Sequence, residues 1–86
     1  MQITPESHAL FIEFAEDAGN WSSMVPTDGN IDMTKEQRGN LTQLKKAGLI
    51  ATQYERGTAW VMFTAEGVAY AKEHGVSGAE YIEALA

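Results

Sequence analysis

The stretch from Thr34 to Ile50 constrains this chain more than any other. Thr34-Lys35-Glu36-Gln37 has the form of a capping box: the threonine hydroxyl reaches forward to a free N–H and the glutamine reaches back. The run continues to Ala47, Gly48 supplies a C-terminal stop, and Leu49-Ile50 turns to β character. On a helical wheel Gln37, Leu41 and Leu44 share one side. Lys35, Gly39, Thr42, Gln43 and Lys46 take the opposite side, and Arg38 and Lys45 flank the apolar stripe. The pattern predicts a helix over 34–47, packed on one side and free to bind on the other, that runs directly into a strand.

Other elements follow from similar signals. Thr4-Pro5 caps and opens a helix to about Ala18, with Leu10, Phe11, Phe14, Ala15 and Ala18 on one stripe and Gly19-Asn20 as its stop. Gly19 to Met33 holds Pro26, Asp28, Gly29, Asn30 and Ser22-Ser23, which predicts mostly loop with one short helical turn near Trp21 to Met24. Leu49 to Tyr54 and Ala59 to Phe63 alternate as strands around Glu55-Arg56-Gly57-Thr58, a hairpin with Arg56 at its tip. Thr64-Ala65-Glu66 caps a helix to about His74, stopped by Gly75, and Ser77-Gly78-Ala79-Glu80 opens a short terminal helix with a second capping box.

At 86 residues the chain reads as one α+β domain, 1–86, with a core suited to its 44% hydrophobic content. With no cysteine, disulfides, thiolate nucleophiles and cysteine-held metals are excluded. No leader or membrane-length apolar run is visible, which predicts a cytoplasmic protein without a membrane partner. The net charge of -6 is unevenly spread. Lys35, Arg38, Lys45, Lys46 and Arg56 face only Glu36 and Glu55 within 35–56, a local +3, whereas the remainder sets Lys72 against ten carboxylates.

The order of elements resembles the winged helix-turn-helix domains of MarR- and PadR-type bacterial regulators. Leu44-Lys45-Lys46-Ala47-Gly48-Leu49-Ile50 matches the family's Leu-x-x-x-Gly-Leu-Ile/Val end of the recognition helix, and Thr64 to Gly67 its Thr-x-x-Gly helix start. The match covers about Thr34 to His74. Arg38-Gly39-Asn40-Leu41-Thr42-Gln43-Leu44 is also similar to small winged-helix proteins of actinobacteria and their phages. The resemblance implies a helical core, a two-stranded hairpin wing over about 49–63, C-terminal helices and a role in transcription regulation. The family places a positioning helix before the recognition helix, where this chain has the breaker-rich segment 19–33.

In that reading Asn40, Thr42 and Gln43 offer hydrogen bonds to base edges. Lys35, Arg38, Lys45 and Lys46 meet phosphate or guanine, Gly39 permits close approach, and Arg56 reaches an adjacent groove or the backbone of double-stranded DNA. A homodimer is implied through Tyr70, Tyr81, Ile82 and Leu85. The alternative is an acidic winged-helix module that binds a phage or host protein and never touches DNA. Trp60 and Met62 alternate with Val61 and Phe63, so one pair faces the core and the other lies under another element or at a contact. Trp21 reads as a core plug.

Asp28-x-Asn30-x-Asp32 echoes half a calcium loop, but Met33 and Gly39 stand where the loop needs glycine and glutamate. His8 and His74 have no metal-ligand spacing, and His74 suits a helix C-terminus. No nucleophile–base pair or phosphate cradle assembles, so neither an enzyme nor a cofactor is expected.

Overall fold

The computed structural model describes residues 3–85. Three α-helices and a three-stranded antiparallel sheet follow in the order α1 (Pro5–Asp17), β1 (Val25–Pro26), α2 (Lys35–Lys46), β2 (Ile50–Glu55), β3 (Thr58–Phe63) and α3 (Ala65–Glu73), with single 3-10 turns at Ala18–Asn20 and Ala79–Tyr81. Each α-helix begins where a threonine supplies a cap: Thr4, Thr34 and Thr64 accept the N–H of Ser7, Gln37 and Gly67 through their hydroxyls.

Helices α2 and α3 end alike. Gly48 (φ 81°) follows Ala47, with Leu49 N–H donating to Leu44 O and Gly48 N–H to Lys45 O. Gly75 (φ 67°) follows His74, with Val76 N–H donating to Ala71 O and Gly75 N–H to Lys72 O. Both are Schellman ends, sealed by the buried pairs Leu44/Leu49 and Ala71/Val76.

The sheet order is β1-β3-β2. Its inner face gives Val25, Ile50, Val61 and Phe63 to a core completed by Leu10, Phe11, Phe14, Leu44 and Leu49. The two motif segments meet at the base of the hairpin. Thr64 Oγ1 donates to Gly48 O at 2.6 Å and Thr64 N–H to Leu49 O at 3.2 Å, and Gly67 abuts that same Leu49 carbonyl so closely that a Cβ would collide with it.

Several expectations are corrected. The connection 19–33 is irregular, as its breakers predict, but its one helical turn lies earlier, at Ala18–Asn20, and Val25–Pro26 forms an edge strand registered against Val61 and Trp60. A two-residue strand carries too little alternation to be read from sequence. Gln37 does not complete the first capping box, because its Oε1 accepts from Asn40 Nδ2 at 2.7 Å. Ser77 caps nothing: the terminal turn starts at Gly78 (φ 82°) without a side-chain cap, so the predicted terminal helix is one 3-10 turn.

Candidate nucleic-acid interface

Helix α2 buries only Leu44. Its side toward α1 is polar: Gln43 Oε1 accepts Thr4 N–H at 2.8 Å, and Asn40 Oδ1 accepts the hydroxyl of buried Ser7 at 3.3 Å. Gln43, expected opposite the packed side, is therefore half-buried, and Asn40 is engaged at both ends of its amide. The apolar wheel does not register this side, because there α2 meets α1 through hydrogen bonds, while Leu41 and Leu44 pack into the core.

What remains is one continuous ridge. Lys35, Arg38, Gly39, Thr42, Lys45 and Lys46 are all exposed, and at about 100° per residue they fall within an arc of about 120°. Thr42 Oγ1 donates to Arg38 O at 3.0 Å, which leaves its oxygen to accept from outside. The two lysines at the C-terminal end of α2 also complement the helix dipole.

Arg56 stands apart from this ridge. It and Gly57 (φ 53° and 81°) form the two central residues of the hairpin turn, the combination of a type I′ turn. Arg56 lines a hollow of about 390 Å³ with Trp21, Met24, Glu55, Thr58 and Trp60. Strand alternation puts Thr58 and Trp60 on the face away from the core, so the guanidinium leans to the side of the sheet opposite α2. Tyr54 shares the inner face with Ile50 and Thr52 but lies beyond the core and is 76% exposed. The period-2 pattern from Ile50 is the signal for that placement.

Trp60 lies edge-on to Trp21 at 6.1 Å, and Met62 lines a recess with Met24 and Leu85, so both outward residues are under the 21–24 turn and the terminal segment. Trp21 is half-buried and donates its Nε1–H to Asp17 Oδ2 at 3.1 Å. Asp17 is 8% exposed and also receives Asn20 Nδ2 and Asn30 Nδ2. Burial pushes its carboxyl up, but the donors from Asn30, Asn20 and Trp21 together outweigh this and hold it below its ordinary value. Asn30 thus serves a buried carboxylate, and Asp28 Oδ2 accepts the Thr58 hydroxyl at 3.4 Å.

A second hollow, open and about 710 Å³, runs between α1 and the start of α2, where Glu6, Glu13, Glu16, Asp32 and Glu36 line it beside Ile31. Of the residues expected to form a dimer seam, Ile82 is buried and Tyr70 is half-buried against Phe11, while Tyr81 and Leu85 are 80% and 44% exposed. Among the described residues no helix is long and apolar enough to cross a membrane, and no group of three or more His, Asp or Glu is placed to hold a metal.

Comparisons of the chain with protein-family models, with curated proteins and with solved structures give no significant match.

Proposed function

We propose that this chain is a small winged-helix DNA-binding domain that acts in transcription regulation, with α2 entering the major groove and the β2–β3 hairpin as its wing. The observation that carries the reading is the ridge of Lys35, Arg38, Lys45 and Lys46. Four cations lie exposed along one side of the helix that leads into the hairpin, on a chain whose net charge is -6. An acidic body with one cationic ridge is oriented by the duplex field before contact. Thr42 is the free base-edge group on that ridge, and Gly39 lets the helix backbone come close. Asn40 and Gln43 act behind it by fixing α2 against α1.

A duplex-binding titration against salt tests this. Lys35, Arg38, Lys45 and Lys46 give a log–log slope of about -3 to -4, near -0.9 per phosphate contact. Lys46→Glu abolishes binding and leaves the fold intact, since the side chain is exposed. Affinity that is flat in salt, or undetectable at low salt, overturns the reading.

The acidic hollow between α1 and α2 favours a second reading, a module for a basic protein partner. In that case Lys46→Glu is silent, and charge reversal at Glu13 and Glu16 removes partner binding.

A further inference from the structure

His8 and His74 are far apart in sequence, yet their rings meet with centroids 4.8 Å apart at the junction of α1 with the C-terminal end of α3. Tyr70, one turn before His74, lies against both, with centroids 5.6 Å from His8 and 4.2 Å from His74. The Tyr70 hydroxyl is 2.6 Å from His8 Nδ1.

The geometry points to a divalent transition-metal site in which His8 and His74 are the protein ligands and water fills the other positions. An imidazole ligates through a nitrogen lone pair, and its other nitrogen is ordinarily held by an oxygen that fixes the tautomer. In His8 the Tyr70 hydroxyl occupies Nδ1, which leaves Nε2 as the nitrogen for the ion, and binding an ion there selects the tautomer whose Nδ1–H is donated to the phenol oxygen. His74 is exposed, so an ion reaches it without opening the fold. Two imidazoles sharing one ion through metal–nitrogen bonds of about 2.1 Å have centroids roughly 5 Å apart, close to the spacing present.

Imidazole donors select copper, nickel or zinc over magnesium or calcium, and the chain has no thiolate to compete. The net charge of -6 and the carboxylate of Glu73, the residue before His74, attract a cation to this end of the molecule. Two protein donors leave the ion exchangeable. Its effect is to clasp the first helix to the third, and this does not depend on whether α2 binds DNA.

The chain has two histidines, so a proton spectrum of tag-free protein carries two imidazole Cε1–H signals. Copper(II) titrated below one equivalent is expected to broaden both signals together, and zinc(II) in excess to raise the melting temperature by about 5 °C or more. In His74→Gln, whose site is exposed and whose fold is safe, broadening of His8 needs about tenfold more copper and the zinc shift is lost. His8→Gln mirrors this at His74. The proposal is overturned if either signal of the intact protein fails to broaden below one equivalent, or if His74→Gln leaves the copper response of His8 and the zinc shift unchanged.

Discussion

Asn30 donates its side-chain amide to the Asp17 carboxylate at 2.9 Å, tying the irregular segment that precedes α2 back to the end of α1. Asn20 and Trp21 complete the set of donors around the same group. A buried anion with three N–H partners therefore holds the breaker-rich connection between α1 and α2 in place.

Replacing that anion is costly. Asp17→Asn keeps the shape but sets an amide NH2 against donors from Asn20, Asn30 and Trp21, and is expected to destabilise by about 1–3 kcal/mol in urea titrations. The depressed pKa also fixes a pH dependence. The folded state binds the proton less readily than the unfolded chain, so the contribution is complete above the ordinary value of 3.8 and is lost as pH falls through the lower folded value. Melting curves at descending acid pH fall more steeply for the wild type than for Asp17→Asn.

Gly67→Ala addresses the contact between α3 and the hairpin base. The new Cβ collides with the backbone carbonyl of Leu49, which is fixed by Thr64 N–H. The cost is about 2 kcal/mol or more, against a small gain at an ordinary exposed helix position. Thermal unfolding of Gly67→Ala beside Ala69→Gly, an exposed position on the same helix, distinguishes collision from helix propensity.

The hairpin separates charge from conformation. Arg56→Asn retains a residue that tolerates positive φ in the turn, so stability is unchanged or slightly raised while the tip cation is lost. On the DNA reading, because Arg56 leans away from α2, the salt slope of duplex binding is expected to stay near its wild-type value, whereas Lys45→Ala and Lys46→Ala each reduce it by about 1.

Tyr54→Ala tests the residue that shares the inner sheet face with the core yet lies beyond it. At 76% exposure its removal leaves the melting temperature within about 2 °C. On the DNA reading the duplex affinity falls several-fold, measured by fluorescence anisotropy.

The sequence showed the helices where capping and stop signals coincide: Thr34 with Gly48, Thr64 with Gly75, and Thr4-Pro5. Each signal is local and has a single geometric meaning. Strand β1 was not legible, because its pairing with Val61 and Trp60 is nonlocal and two residues show no period. The cationic ridge was legible as far as lysine and arginine spacing goes. Sequence could not show that Gln43 and Asn40 belong to the packed side, because that depends on Thr4 and Ser7 arriving opposite them. Nor could it show His8 beside His74, which requires the first and third helices to be docked.

Thr64 bonded to Gly48 and Leu49 also makes the segment between them a closed ring, clamped at its root. Bending is thereby displaced toward the hairpin tip, and any rearrangement of the hairpin on meeting another molecule is expected there, while the end of α2 keeps its place.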